Sequence, residues 1–260
     1  MNRDEARTQA ERLCKAMATR EAIPPLSTDF PDLTVADAYA VQSEFVALLK
    51  EPAGAVVGYK LGLTSKPMQN LLGVSEPDYG PILDSMVLPP ENVLDAGRFI
   101  QPKIEAELAL HLAQDLTGPG VTREEAAAAL SGVSVAVEII DSRIEDWKIR
   151  LTDTVADLAS AGAVVISPTV LPLGEVDPRL IGVVVTRNGE LAATGAGAAA
   201  LGDPVAAVAW LANTLAGYGE RLLAGRFVMT GSVHAAFPIA PGDTVEVETD
   251  RLGGVTVRVA

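Results

Sequence analysis

Three carboxylates carry the first chemical signal in this chain of 260 residues. The segment Gln101-Pro-Lys-Ile-Glu-Ala-Glu-Leu-Ala-Leu110 sets Glu105 and Glu107 two residues apart in a strand-like stretch. In an extended backbone, side chains at i and i+2 share one face and stand roughly 6.5–7 Å apart. Glu138 lies in Ser134-Val-Ala-Val-Glu-Ile-Ile140, an apolar run that reads as a buried strand. A carboxylate among Val, Ala and Ile side chains is costly unless a cation meets it. Three convergent carboxylates with no soft ligands nearby suit a hard, oxygen-seeking cation, Mg²⁺ or Mn²⁺. Two plainer readings stand beside this one. Lys103, Glu105, Glu107 and His111 alternate with Ile104, Ala106, Leu108 and Leu110, as on the wet face of an amphipathic strand. Glu138 could equally be half of a structural ion pair with Arg143 or another arginine.

The elements that must position these groups are partly legible. Residues 2–20 carry helix formers without Gly or Pro, and Asp37 to Lys50 has apolar residues at helical spacing, with Thr34 as its N-cap. The intervening Ile23-Pro-Pro-Leu-Ser-Thr-Asp-Phe-Pro31 is expected to be an extended connector. Val56-Val-Gly-Tyr-Lys-Leu-Gly62 reads as a glycine-interrupted strand, and Lys66 to Leu72 as a short helix closed by Gly73. Strands are then expected at 81–88, 102–112, 133–141, 163–167, 181–187, 226–231 and 244–259. Helices interrupt them at Arg123–Leu130, capped by Thr122, and at Pro204–Ala216. Asn188-Gly189 between two strand patterns is a hairpin signal. The small-residue run Ala192–Ala200 is read as a flexible loop or a close-packed turn. Hairpins with few βαβ alternations predict an α+β fold built on rolled β-structure, not a doubly wound sheet.

Composition narrows the function classes. At 48% apolar, the chain can bury a substantial core. A formal net charge of −14 argues against nucleic acid or an anionic membrane as partner. No apolar run is expected to approach the roughly 20 residues that span a bilayer, and Met1-Asn-Arg-Asp-Glu lacks the apolar core of a signal peptide. One cysteine, Cys14, excludes an internal disulfide and fits a reducing, cytoplasmic setting. With His111 and His234 as the only histidines, a His-rich metal site is excluded by count.

Several motifs then occur in one order. They are Gly58-Tyr-Lys-Leu-Gly-Leu-Thr-Ser65, Gly73-Val-Ser-Glu-Pro-Asp-Tyr-Gly80, Pro102-Lys-Ile-Glu-Ala-Glu107 and Glu138-Ile-Ile-Asp-Ser-Arg143, followed by Asp146-Trp-Lys-Ile-Arg150, Thr194-Gly-Ala-Gly-Ala198 and Met229-Thr-Gly-Ser232. Together they resemble the 2-keto-4-pentenoate hydratases and 4-oxalocrotonate decarboxylases of the fumarylacetoacetate hydrolase superfamily. The resemblance runs from about Asp29 to the C-terminus. It implies an α+β chain with residues 1–55 as an N-terminal helical portion and residues 56–260 as a metal-binding catalytic domain, a mixed β-roll of the superfamily's C-terminal type. It further implies Mg²⁺ or Mn²⁺ held by Glu105, Glu107 and Glu138, and a homo-oligomer. Lys60 matches the family's active-site lysine. Asp78 falls in what looks like a substrate-side loop. Asp141 and Arg143 are read as supports behind the metal ligands. The chain departs from the family where Asp-Asn-Ala-Ser-Ser is usual: here Asp157-Leu-Ala-Ser-Ala161 leaves Ser160 alone. The loop Gly231-Ser-Val-His-Ala-Ala-Phe237 is also unusual and brings in His234.

The implied reaction is metal-dependent hydration of a small 2-hydroxy-2,4-dienoate, or 2-keto-enoate, to a 4-hydroxy-2-keto acid in aromatic meta-cleavage catabolism. Decarboxylation of a 4-oxalocrotonate on the same scaffold is the alternative. An acylpyruvate-type C–C hydrolase is a further one, although that branch carries Thr-Gly-Thr-Pro where this chain has Thr230-Gly-Ser-Val233. A catalytically weak homologue that binds a keto acid, or that supports a partner pathway enzyme in a complex, is the non-enzymatic reading. Lys60, if desolvated beside a metal, would have a lowered pKa useful for proton transfer or would anchor the substrate carboxylate. His234 is a candidate acid or base, and Ser160 a hydrogen-bond donor. Trp147 and Phe237 are read as core residues rather than substrate stackers.

Overall fold

A computed structural model of the chain describes residues 1–66, 69, 70, 73–90 and 93–260. Its helices are α1 (Arg3–Thr19), α2 (Leu26–Asp29), α3 (Val35–Ala53), α4 (Arg123–Ala129), α5 (Leu151–Ala156) and α6 (Pro204–Ala216). Its strands are β1 (Val56–Gly62), β2 (Asp78–Leu83), β3 (Val87–Leu88), β4 (Val93–Leu94), β5 (Lys103–Leu112), β6 (Leu130–Ile140), β7 (Ala161–Ile166), β8 (Gly182–Arg187), β9 (Glu190–Ala196), β10 (Phe227–Met229), β11 (Phe237–Pro238), β12 (Thr244–Thr249) and β13 (Gly253–Val259). The helix expected over Lys66–Leu72 includes residues 67, 68, 71 and 72, which lie outside the described residues.

The long helices start where the cap chemistry says they should. Thr34 with Asp37, and Thr122 with Glu125, form reciprocal capping boxes that satisfy free N–H groups at the starts of α3 and α4. Asn2 and Glu5 do the same for α1, whose buried Ala6, Ala10, Leu13 and Ala16 recur every three or four residues and face the core. The expected extended connector is broken by α2, because Ser27 N and Oγ both donate to the buried Asp153 and pin that turn.

The strands form two sheets. The larger has the order β2-β1-β10-β5-β6-β7-β3, with β11 also on β5; the smaller has the order β4-β13-β12-β8-β9. Ile104 and Ala106 of β5, with Val135 and Val137 of β6, share an apolar cluster with Val183, Val245, Val247 and Val257 of the smaller sheet. Side chains alternate along a strand. Glu105, Glu107 and Glu138 therefore point to the opposite face of the larger sheet, away from the smaller one. A second cluster, shared by α1, α3, α6 and the β1–β2–β10 region, fills the rest of the interior.

Asn188 and Gly189 take φ of 55° and 81° and join β8 to β9 as a two-residue hairpin turn. The expected strand 244–259 is instead the hairpin β12–β13, turned at Asp250 to Leu252. The expected strand 81–88 is divided by a helical turn at Asp84–Met86. The run Ala192–Ala200 is mostly strand β9, followed by a turn at Gly197–Ala199. Contrary to expectation, the run Gly197–Ala216 is long and apolar enough to cross a membrane by length and composition. In the fold it begins as that turn, is capped at Asp203, and continues as α6, whose Val205, Val208, Leu211 and Leu215 are core.

Candidate active site

The register of β5 on β6 brings the three carboxylates together. Glu105 pairs directly with Glu138 across the ladder, and Glu107 is opposite Ala136. One oxygen from each of Glu105, Glu107 and Glu138 lies within 4.8 Å of the others. Glu107 and Glu138 are fully buried, so this is not the wet face of a strand. Glu107 Oε2 accepts the Gly231 N–H at 3.0 Å. Glu107 Oε1 and both oxygens of Glu138 have no hydrogen-bond partner among the described residues. Burial and mutual repulsion push the Glu105 carboxyl up to about 7 and that of Glu107 well above its ordinary value. Burial raises Glu138 as well, against the pull of Lys60. An all-oxygen donor set at this spacing, with three buried oxygens free of hydrogen bonds among the described residues, fits a hard divalent cation.

The cation beside Glu138 is a lysine, not the arginine considered from sequence. Lys60 of β1 is buried, with Nζ 3.3 Å from Glu138 Oε2 and donating to the Ala159 carbonyl at 2.8 Å. Burial alone would lower its pKa. The carboxylates of Glu138, Glu105, Asp78 and Glu107 more than offset that and hold it raised, opposite to the expected direction. Asp78 is not in a loop: it opens β2, pairs with Gly62 of β1, and is buried with Oδ1 unbonded among the described residues. Burial raises its pKa while Lys60 opposes the shift. A Cβ at residue 62 would fall 2.1 Å from Asp78 Oδ1, so only glycine lets the two strands approach here.

Ser160 closes a turn in which Leu158, Ala159 and Ser160 take φ of 56°, 50° and 58°. Left-handed backbone costs an L-residue about 1–2 kcal/mol each, so the surroundings must impose it. Arg143 does much of this. Its guanidinium, fully buried, pairs with the Asp157 carboxylate and donates to the carbonyls of Asp157 and Ala161, one on each side of the turn. Gly80 admits the turn from below, since a Cβ there would meet the Leu158 carbonyl at 2.1 Å. The result points Ala159 O at Lys60 and leaves Ser160 Oγ buried and unbonded. Arg143 thus supports the turn rather than the carboxylates. Asp141 also turns away from them, accepting the N–H groups of Ile100 and Gln101.

These groups border one cavity of about 310 Å³, lined by Lys60, Asp78, Lys103, Glu105, Trp147, Ser160 and His234, among others. Both nitrogens of His234 are engaged. Nε2 accepts the Ala106 N–H at 2.9 Å, and Nδ1 lies 2.8 Å from the Ala235 carbonyl. The ring is therefore neutral with its proton on Nδ1. Burial lowers its pKa, in keeping with that state. Phe237 stacks on His234, 5.8 Å between ring centroids. Trp147 borders the cavity instead of the core, and Lys103 Nζ sits 4.1 Å from its ring centroid. The alternation Lys103, Glu105, Glu107 held the signal for Lys103; nothing local marks Trp147 as part of the lining.

The profile of the fumarylacetoacetate hydrolase C-terminal family matches residues 76–260. The chain is 40% identical over 253 residues to 2-hydroxyhexa-2,4-dienoate hydratase of Comamonas testosteroni, covering 96% of each chain. It is 41% identical over 258 residues to 4-oxalocrotonate decarboxylase of Pseudomonas putida, covering 99% of this chain and 98% of that protein. The solved structure of 4-oxalocrotonate decarboxylase from Pseudomonas putida G7, complexed with magnesium and adipate, matches with a TM-score of 0.97 at 40% identity. That match covers 100% of this chain and 99% of the other.

Proposed function

This chain belongs to the fumarylacetoacetate hydrolase family, and on that footing we propose that it is a divalent-metal-dependent lyase of aromatic meta-cleavage catabolism. It adds water to a 2-hydroxy-2,4-dienoate, through the 2-keto tautomer, to give a 4-hydroxy-2-keto acid. The observation that carries this reading is the cluster of Glu105, Glu107 and Glu138: Glu105 lines the 310 Å³ cavity, and behind it Glu107 and Glu138 are fully buried with three oxygens free of hydrogen bonds among the described residues. Relatives along nearly the full chain are hydratases and decarboxylases, and one is solved with magnesium.

Glu105, Glu107 and Glu138 would hold the cation, Mg²⁺ or Mn²⁺. When bound, it supplies Lewis-acid polarisation of the substrate's 2-oxygen. Lys60, kept cationic by the carboxylates around it and steered by Ala159 O, is a fixed donor toward developing negative charge. Asp78 carries an unbonded carboxylate oxygen at the cavity and is the group to take up and return a proton as the dienol becomes the enone and water adds. Ser160 Oγ, also unbonded, donates a hydrogen bond to substrate or water. His234, neutral and hydrogen-bonded at both ring nitrogens, acts by shaping the wall and fixing the backbone between Glu105 and Glu107, not by moving protons.

Residues 56–260 are proposed as the catalytic β-roll and residues 1–55 as a helical portion buttressing it; the apolar cluster shared between the two sheets supports the first. A cytoplasmic homo-oligomer, working alone or beside a partner pathway enzyme, completes the reading. Exposed Leu180, Val184 and Leu191 near the open β9 edge support self-association. The second reading is 4-oxalocrotonate decarboxylation, favoured by the full-length likeness to that enzyme. The test is to incubate the protein with Mg²⁺, and then with EDTA, on 2-hydroxypenta-2,4-dienoate and on 2-hydroxymuconate, following loss of dienol absorbance and product mass. Metal-dependent gain of water is expected. Loss of CO₂ from the second substrate would move the assignment to the decarboxylase, and no turnover of either would overturn the proposal.

A further inference from the structure

Asp78 is gripped from the far side of its strand. Asp78 and Tyr79 are consecutive in β2 and so point to opposite faces, Asp78 to the cavity and Tyr79 to α3. Two side chains of α3 hold Tyr79. The Tyr39 ring stacks on the Tyr79 ring, 4.7 Å between centroids. One turn further on, Gln42 Nε2 donates to the Tyr79 carbonyl at 2.9 Å. The same nitrogen donates to the Val155 carbonyl of α5 at 2.7 Å. That carbonyl is one the helix end leaves over, since the Asp157 N–H takes the carbonyls of Asp153 and Thr154.

Gln42 makes this link from a position only 3% exposed, where Tyr39, Val41, Phe45 and Val46 of the same helix are buried too. A buried amide is costly unless its donors are met, and both are met here by carbonyls of two different segments. A hydrocarbon side chain would not link them. The start of α5 is fixed as well: Ser27 donates to the Asp153 carboxylate from N at 2.8 Å and from Oγ at 2.7 Å. Residues 78 and 154 adjoin the two tied carbonyls, at 79 and 155, and both line the cavity. Burial raises the Asp78 pKa, and Lys60 and then a hydrogen bond from the Thr154 side chain oppose the rise.

We propose that Gln42 is a positioning residue for proton transfer: by tying β2 to α5 it holds the Thr154 hydroxyl on the Asp78 carboxylate and leaves Asp78 Oδ1 free for the substrate. The N-terminal helices are then part of the active site and not only a buttress. This rests on the reading above, in which Asp78 takes up and returns the substrate's proton.

The test measures two rates on the Mg²⁺-loaded protein: kcat on the dienoates, and exchange of the C3 protons of 2-oxopentanoate with D₂O, followed by proton NMR. Exchange isolates the proton step, because the saturated acid has no double bond to hydrate. Gln42→Met, similar in length but without donors, is expected to lower both rates about tenfold, with KM changed less than about twofold. Val46→Ala, which removes packing at the next turn of α3, should lower Tm at least as much and leave both rates unchanged. Adding Gln42→Met to Thr154→Val should cause no further loss, since the two residues act as one unit. If Gln42→Met does not fold, the shorter amide of Gln42→Asn is expected to show the same split between kcat and KM. Wild-type rates in the Gln42 variant, equal losses in Val46→Ala, or additive losses in the double variant would each overturn the proposal. Asp78→Asn separates it from the reading beneath it. Full exchange in that variant would end both, whereas lost exchange there beside a normal Gln42 variant would sink the positioning alone.

Discussion

Glu107 and Glu138 present four carboxylate oxygens to the interior, and three of them find no hydrogen bond among the described residues. Lys60 compensates Glu138 alone, and a fold selected for stability alone would not leave Glu107 beside it without a cation, because an unpaired buried charge costs several kcal/mol. On the reading proposed above, the stabilising partner of the cluster is a divalent cation, whose binding would stabilise the native state by mass action. At a hundred times its dissociation constant, Mg²⁺ contributes about 2.7 kcal/mol. That corresponds to a rise in Tm of roughly 5–10 °C for a domain of this size. Glu107→Gln keeps an acceptor for the Gly231 N–H while removing one charge from the cluster. The variant is expected to lose the Mg²⁺-dependent rise in differential scanning calorimetry and, in EDTA, to melt no lower than wild type. A normal Mg²⁺ shift in this variant would remove Glu107 from the ligand set.

The turn Leu158–Ser160 shows how elements share strain at the site. Three successive left-handed residues carry no glycine, and Leu158 stands where the family usually has Asn, a residue better suited to that backbone. Leu158 is fully buried, so its side chain anchors in the core what its backbone resists. Arg143 clamps the turn from β6's end, and Gly80 of β2 gives it room. Gly80→Ala would drive a methyl into the Leu158 carbonyl. The expected cost is about 1–3 kcal/mol of overpacking, with kcat/KM falling at least tenfold as Ala159 O and Ser160 move. Thermal melting and steady-state assay of the same preparation check it. A loss of stability with full activity would show that the turn does not position Lys60.

Across the whole molecule, 34 acidic residues against 20 basic ones set a field that opposes an anionic substrate. Screening weakens it: the Debye length falls from about 30 Å at 0.01 M salt to about 8 Å at 0.15 M. Over that range kcat/KM for a dienoate is expected to rise about two- to threefold in NaCl at constant free Mg²⁺. A fall instead would mean that the cavity's own cations dominate long-range approach.

Periodicity and caps in the sequence alone determined α1, α3, α4 and α6, the β8–β9 hairpin and the strands around Glu105 and Glu138, because each rests on contacts between near neighbours in the chain. The three carboxylates were legible too, since a charge inside an apolar strand pattern stands out locally. Only the tertiary structure decided that Glu138 faces Lys60, 78 residues earlier, and that Arg143 serves a turn instead of the carboxylates. It alone decided that Asp78 opens a strand, that His234 is closed by two hydrogen bonds, and that Trp147 leaves the core for the cavity wall. Each of these depends on strand register and loop closure between distant segments, where a shift of one residue would send every side chain to the opposite face.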